Sequence, residues 1–344
     1  MTPRGILTKE QKERQLATMR SLDYRKKKSE GTKKMWKEKD MTERNKKVSL
    51  SRMGEKHPLW KGDKVSYTSL HEWINNRLKK PTQCLFCCDT NYAEYANLLH
   101  DIYTRNLDDY IPLCKQCHKV FDNLFKKMEK NVVTILSGGL DSTTLVYFLH
   151  KQGFNIKALS FNYGQRHKKE LQFAAETCKK LSVEHHIIDL SSITKLISNS
   201  ALTGDAQVPH GHYEDESMKI TVVPNRNAIM LSIAVGYAEN LNYKYVAIGN
   251  HKGDRSIYPD CRREFIDAMN EASQLGTYNK ISIFSPFCDI TKTDIARIGL
   301  YLGIDYDKDT WSCYEGGEKP CNLCGTCNER NESIMLAKQQ LKLK

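Results

Sequence analysis

The stretch Leu136-Ser137-Gly138-Gly139-Leu140-Asp141-Ser142-Thr143-Thr144 gathers hydroxyls, glycines and a carboxylate at one point in the chain. It follows the apolar run Val132-Val133-Thr134-Ile135 and precedes Leu145, Val146, Phe148 and Leu149, a helix-patterned segment stopped by Gly153. Strand, glycine turn and helix start together make an anion site. The glycines let backbone N–H groups approach a phosphate, and the helix N-terminus adds donors that lack intrahelical partners. Ser137, Ser142 and Thr143 can add hydroxyl donors. The loop lacks a Gly-Lys-Ser/Thr ending, so it is not the common nucleotide-triphosphate loop. A tight turn capped by Ser or Asp is the plainer alternative.

Thiols form the second chemical group. Most of the 12 cysteines stand in C-x2-C pairs, which in a reducing compartment hold metal more often than disulfides. Cys84 and Cys87 pair with Cys114 and Cys117 across 27 residues, and four thiolates in two knuckles suit a tetrahedral zinc ion. Cys321, Cys324 and Cys327, with Cys313 ahead of them, continue the C-x2-C spacing at the other end of the chain. Cys88, Cys178, Cys261 and Cys288 lack metal spacing. Cys178 and Cys288 read as small apolar fillers, while Cys261 sits in a polar stretch where a site role stays open.

The elements that must position these groups are legible from pattern. From residue 131 onward, apolar strands are expected at 132–136, 156–161, 184–189, 245–249 and 281–284, with helices at 168–181 and 225–241 between them. The second helix is apolar nearly all round and should pack inside a domain. Alternating βα units with continuous apolar strands give an α/β fold, a parallel sheet covered on both faces, with its site at the strand C-termini. A helix at 69–78 precedes the first cysteine pair.

Length and charge divide the chain further. At 344 residues there is room for about two domains. Residues 1–60 hold 18 Lys/Arg against 8 Asp/Glu, a net +10 of the total +12. A basic arm on a nearly neutral body points to a polyanion partner for the arm alone, although a merely solvated extension has the same composition. The expected division is an arm at 1–56, a zinc module at 57–128 and a nucleotide domain at 129–344. No apolar run reaches the roughly 18 residues of a membrane span, and Met1-Thr2-Pro3-Arg4 begins no signal-peptide core. A soluble, cytoplasmic protein with no membrane partner is expected.

Four resemblances add to this reading. The loop resembles the pyrophosphate loop, S-G-G-x-D-S, of ATP pyrophosphatases, which split ATP between the α and β phosphates. Four later stretches then fall at strand ends. They are Asn162-Tyr163-Gly164-Gln165-Arg166-His167, Val223-Pro224-Asn225-Arg226-Asn227, Tyr258-Pro259-Asp260-Cys261-Arg262-Arg263-Glu264-Phe265, and the run from Trp311-Ser312-Cys313-Tyr314 to Cys327. In this order they resemble the 7-cyano-7-deazaguanine synthases over residues 131–335. Further forward, Leu113-Cys114-Lys115-Gln116-Cys117-His118 resembles the end of the treble clef of His-Asn-His nucleases. Basic segments 25–31 and 44–49 resemble the short DNA-binding modules of phage homing endonucleases.

The synthase resemblance implies a Rossmann-like sheet of the adenine nucleotide α-hydrolase type. It implies ATP- and ammonia-dependent conversion of 7-carboxy-7-deazaguanine to the 7-cyano compound, a queuosine precursor, with Mg2+ on the phosphates and Zn2+ on Cys313, Cys321, Cys324 and Cys327. ATP would lie on Leu136, Ser137, Gly138, Gly139, Leu140, Asp141, Ser142, Thr143, Thr144, Leu145 and Val146. Ser137, Asp141, Ser142 and Arg226 would serve the chemistry, and Tyr163, Arg226, Asp260, Arg262 and Glu264 the substrate. Ile257 departs from the family pattern, where a glycine precedes the tyrosine, and should narrow the pocket. A tRNA sulfurtransferase is the rival enzyme and needs a cysteine nucleophile near the loop. A nucleic-acid-binding or nicking protein with a passenger nucleotide domain is the rival of another class. For nicking, His100 would be the base and His118 the final His, but Asp109 stands where Asn is needed and Asn106 is displaced. Ammonia must come free or from a partner, and a homodimer stays open.

Overall fold

The computed structural model describes residues 67–90, 93–100, 103–165, 168–194, 196–197, 200–203, 207–210 and 216–341. The basic arm, the start of the expected zinc module at 57–66, and Arg166 and His167 lie outside them. The chain divides into two compact units, Met1–Ser66 and Tyr67–Lys344, and every described residue belongs to the second.

The centre of that unit is a five-stranded parallel sheet of β3 (Asn131–Ile135), β4 (Asn155–Asn162), β5 (Glu184–Asp189), β6 (Tyr245–Ala247) and β7 (Ser282–Phe284), in the order β5-β4-β3-β6-β7. All five strands fall where the apolar runs predict them. Period-two alternation splits the strands between two cores. Val132, Leu136, Ile156, Ala158 and Ala247 face one way, against α3 (Leu140–Lys151), α4 (Lys169–Leu181), α7 (Lys292–Tyr301) and α8 (Gly325–Leu341). Val133, Ile135, Leu159, Phe161, Val246 and Ile283 face the other, against α5 (Arg226–Asn240) and α6 (Arg263–Gly276). The doubly wound α/β class is as expected.

Two elements depart from the pattern. β5 is not buried on both faces: it is a sheet edge, its residues are half-buried or exposed, and Lys157 and His186 pair with Glu184 there. α5 is not enclosed either. Met230, Leu231, Ala234, Val235 and Ala238 are buried, but Ser232, Gly236 and Asn240 are exposed, because the helix forms an outer layer over one sheet face.

Before the sheet come α1 (Tyr67–Arg77), an antiparallel pair β1 (Glu94–Asn97) and β2 (Tyr110–Leu113), and α2 (Lys115–Phe125). Cys84 and Cys87 precede this hairpin, and Cys114 and Cys117 open the helix after it, as the treble-clef resemblance implies. These elements do not stand apart. Leu85, Leu98, Ile111, Phe121 and Phe125 share one continuous core with Leu145, Phe148, Phe154 and Phe287. Arg297 of α7, 1% exposed, donates to the carbonyls of Leu85 (2.8 Å) and Phe86 (3.0 Å). Among the described residues no helix is long and apolar enough to cross a membrane.

Candidate active site and metal centres

The sheet order reverses beside β3, whose neighbours are β4 and β6, and this is where open α/β sheets leave a crevice at their C-terminal edge. The loop after β3 occupies it. Gly138 adopts φ +85°, and a Cβ there would lie 2.1 Å from the Glu170 carbonyl oxygen, so the loop sits directly on the first turn of α4. Gly139 is the N-cap of α3, and no side chain caps that terminus. Ser137 and Ser142 close the turn: their hydroxyls are 2.9 Å apart, and the Ser137 N–H donates to Ser142 Oγ at 3.1 Å. The result is an uncapped helix start fronted by two hydroxyls, suited to a polyphosphate.

A cavity of about 200 Å³ opens over this loop. Leu136, Ser137, Gly139, Leu140, Asp141 and Ser142 line it, as do Tyr163 and Arg226. Gly138, Thr143, Thr144, Leu145 and Val146 do not; the last four are buried in α3, where Thr144 donates to the Leu140 carbonyl. Residues near a phosphate in sequence alternate between facing it and packing beneath it, because the helix has begun. Asp260 and Glu264 lie off the cavity, as does Arg262. Asp260 accepts from the Asn227 N–H (3.0 Å) at the start of α5, the Arg262 Nε–H donates to the Arg255 carbonyl, and Glu264 is exposed. Asp260 thereby holds the turn that presents Arg226. Ile257 is not among the described lining residues: it is buried behind the wall with Met218, Tyr258 and Cys261.

The loop's missing lysine arrives from elsewhere. Lys292, on the first turn of α7, lines the cavity with its Nζ 3.5 Å from Asp141 Oδ2 and 2.6 Å from Glu329 Oε2. Burial opposes its charge, but Asp141, Glu329 and Asp254 outweigh that and raise its pKa, so it stays an ammonium ion. A cation suited to a phosphate is thus supplied from far along the chain. Asp254 is held well below the usual carboxylate range: burial works against it, and His251 and Lys292 prevail. At the opposite wall Arg226 lies over the Tyr163 ring, 5.5 Å from its centre, and donates to its hydroxyl at 3.4 Å.

Cys261 is the one cysteine among the described lining residues. Burial and the nearby Asp254 and Asp260 push its thiol far up, and the Asn227 side-chain amide donates to its sulfur at 3.2 Å. A neutral, hydrogen-bonded thiol is a poor nucleophile, which disfavours the sulfurtransferase reading.

Both cysteine sets converge. The four sulfurs of Cys84, Cys87, Cys114 and Cys117 lie within 4.8 Å of one another, and so do those of Cys313, Cys321, Cys324 and Cys327. Four thiols at that spacing, with the N–H groups of Cys117, Cys321 and Cys324 donating to neighbouring sulfurs, fit a tetrahedral metal. The second set also builds the site. Its leading segment crosses the phosphate loop, with the Trp311 N–H donating to the Gly138 carbonyl at 2.9 Å, and places Ser312 and Tyr314 on the cavity wall.

Beside the first set, the residues at the nuclease positions are each engaged within the fold. His100 is 6% exposed, stacks on Phe121 (4.7 Å between centres) and contacts Asp122 through Nδ1. Burial lowers its pKa. Asp109, at the asparagine position, contacts Lys151 and Asn106 and organises the loop instead. His118 is engaged by Glu94 at 2.7 Å.

The sequence model of the family described as "Queuosine biosynthesis protein QueC" matches residues 131–338. The 7-cyano-7-deazaguanine synthases of Pseudoalteromonas atlantica and Pseudoalteromonas translucida are 52% and 51% identical over 207 residues, which is 60% of this chain and 94% of each relative. The chain belongs to this synthase family. The NH3-dependent NAD synthetase of Campylobacter jejuni is a far more distant solved structure, with TM-score 0.35 and 19% identity over 66% of this chain and 90% of that one.

Sequence pattern alone misses three charged lining groups, Lys292, Glu170 and Asp254. Lys292 lies in Thr291-Lys292-Thr293-Asp294, where the Thr291–Asp294 capping box is a readable helix start. Glu170 lies three residues beyond the stretch ending at His167, in the first turn of α4.

Proposed function

We propose that this chain converts 7-carboxy-7-deazaguanine, ATP and ammonia to 7-cyano-7-deazaguanine. The observation that carries the reading is one cavity running from the Ser137–Ser142 hydroxyl pair and Lys292 to the Arg226–Tyr163 pair. A polyphosphate suits the first end. A flat heterocycle bearing an anionic carboxylate suits the second, with Tyr163 as a stacking face and Arg226 as its counter-ion.

A carboxylate resists ammonia because its oxygen is a poor leaving group. Its attack on the α-phosphorus forms an acyl adenylate and expels pyrophosphate. Ammonia then displaces AMP to give the amide. The amide oxygen attacks a second ATP, and loss of that AMP with the N–H protons leaves the nitrile. Negative charge grows on the departing pyrophosphate at each activation. The α3 N-terminus, both serine hydroxyls and Lys292 would stabilise that charge. Asp141 Oδ1, buried and without a hydrogen-bond partner among the described residues, fits a magnesium ligand. Bound magnesium would neutralise phosphate charge. The two thiolate sets would hold zinc as structural ions. The hairpin module, with its histidines buried or engaged, serves packing and binding rather than strand cleavage, and the basic arm would supply nonspecific phosphate contacts to nucleic acid.

Incubation with the carboxylate, ATP and ammonium, read by mass spectrometry, tests the reading. The nitrile and about two AMP per nitrile are expected on this chemistry. ATP turnover without amide or nitrile would sink it.

A further inference from the structure

The amination chemistry releases protons, and the cavity contains one group placed to take them. Resting on the function just proposed, we propose that Glu170 is the proton acceptor that converts the attacking ammonia to the amide nitrogen and then strips the N–H of the adenylated amide to give the nitrile.

Elimination and placement both point to Glu170. Three carboxylates line the described cavity: Asp141, Glu170 and Asp254. Asp141 is paired with Lys292, and Asp254 with His251 at 3.1 Å. Both are thereby engaged as counter-ions, and the pairing with His251 holds the Asp254 carboxyl well below the usual range. Glu170 forms no salt bridge among the described residues. No histidine lines this cavity among the described residues either. Tyr163 is the neighbouring phenol, and burial pushes it up to about 12, out of range for a base.

Glu170 is placed between the two ends of the cavity. Its backbone carbonyl touches the phosphate loop at Gly138, and its side chain shares the wall with Tyr163 and Arg226. The bond broken in each step, carbon to AMP oxygen, must lie between the phosphates and the heterocycle. The carboxylate is also held in orientation. Gln165 Nε2 donates to it at 3.0 Å and to the Phe161 carbonyl at 3.1 Å, while Gln165 Oε1 accepts from the Tyr163 N–H at 2.8 Å. Among the described residues, Arg226 from α5 and Tyr163 from the turn before α4 are the charged and titratable groups that face it. Burial raises its pKa to about 7, against smaller opposing effects of Gln165 and Arg226. A carboxyl in that range exchanges protons readily near neutrality.

Both steps balance. In the first, ammonia nitrogen bonds to the carbonyl carbon, an N–H proton passes to Glu170, and the carbon–oxygen pair leaves with AMP. In the second, the nitrogen of the O-adenylated amide loses two protons: one leaves to water as the neutral imidate forms, the other passes to Glu170 while its electron pair completes the carbon–nitrogen triple bond, and AMP again leaves with the carbon–oxygen pair. Between steps Glu170 returns its proton to water.

The test measures pyrophosphate, amide and nitrile from one quenched time course across about pH 5.5–8.5, with total ammonium adjusted to keep free ammonia constant, spanning the range where such a group titrates. Wild-type nitrile formation should rise with pH through about 7, because the carboxylate form is the base. Glu170→Gln should slow it about a hundredfold, the low end for a general base, and flatten that rise, while slowing the first pyrophosphate release much less. Gln165→Leu keeps the carboxylate but removes a donor to its charged form, so the rise should move to higher pH. Nitrile formation near the wild-type rate in Glu170→Gln, equal losses of pyrophosphate release and nitrile, or an unmoved rise in Gln165→Leu would each overturn the assignment. Wild-type ATP cleavage without amide or nitrile would instead remove the proposed function, and this inference with it.

Discussion

At the scale of single residues, the site depends on charges brought to one loop from far apart in the chain. Asp141 is legible as part of a loop motif, but its partner Lys292 is not, because nothing in the local sequence couples two helices so widely separated. The fold does so: α3 and α7 pack on the same sheet face, and both N-termini open at its C-terminal edge. Replacing Lys292 with Met leaves Asp141 and Glu329 without their counter-ion and removes the cation proposed to face the leaving group. Pyrophosphate release should fall about a hundredfold or more, since one preorganised donor at such a site is worth roughly 3 kcal/mol. Asp141→Asn and Ser142→Ala should each lower it at least about tenfold for the same reason. Pyrophosphate release within a few fold of wild type in a folded Lys292→Met protein would take Lys292 out of the chemistry. Arg262 and Glu264 are the opposite case: their motif adjoins the site, but neither is among the described lining residues, Arg262 donating to the Arg255 carbonyl and Glu264 being exposed.

At the scale of elements, strand positions are readable because buried parallel strands are short apolar runs, and all five start or stop within a few residues of expectation. Burial of whole helices is less readable. The apolar stretch in α5 looks enclosed, but one sheet face covers only one side of a helix. The cysteine segment at the C-terminal end shows how an element without regular structure becomes part of a site. Cys313, Cys324 and Cys327 are buried with Trp311, and Trp311 stacks on Phe173 of α4 and is hydrogen-bonded through its backbone to Gly138. Loss of the metal should therefore loosen the wall over the phosphate loop. Cys321→Ser is expected to lower bound metal by about one ion per chain and to lower the melting temperature, because coordination supplies folding free energy. Elemental analysis reads the first and calorimetry the second. Zinc without visible absorption is expected; an iron signal with a charge-transfer band would reverse the choice of ion. Full metal content in the variant would show that Cys321 is not a ligand.

At the scale of the whole molecule, the question is what the first 130 residues are to the synthase. Relatives are covered to 94% of their length by the matched 207 residues, so their bodies stand without such a module. In this chain the corresponding face is not left to water. Phe125 meets Phe148, Phe154 and Phe284 edge-on at 5.6, 6.4 and 6.2 Å between ring centres, and Phe86 and Phe121 also meet Phe148. Tyr301 donates to the Tyr110 carbonyl at 2.6 Å, and Lys151 pairs with Asp109 at 3.1 Å. Each buried phenylalanine contributes about 1.5–3 kcal/mol, so uncovering this cluster removes a large share of a stability that is only about 5–15 kcal/mol in all. Sequence alone suggests a detachable module, because charge and cysteine spacing show where a unit is but not what it packs against. Two truncations separate the possibilities. A chain beginning at Tyr67 keeps the shared core and should retain its melting temperature and nitrile synthesis, while losing any nucleic-acid retention that salt weakens, since the arm holds a net +10 of the charge. A chain beginning at Asn131 should melt well below it or aggregate, with synthesis lost in proportion to the folded fraction. Equal melting temperatures for the two truncations would mean that the shared core contributes nothing to the body. Nucleic-acid retention undiminished in the chain beginning at Tyr67 would move the binding surface from the arm to the hairpin module.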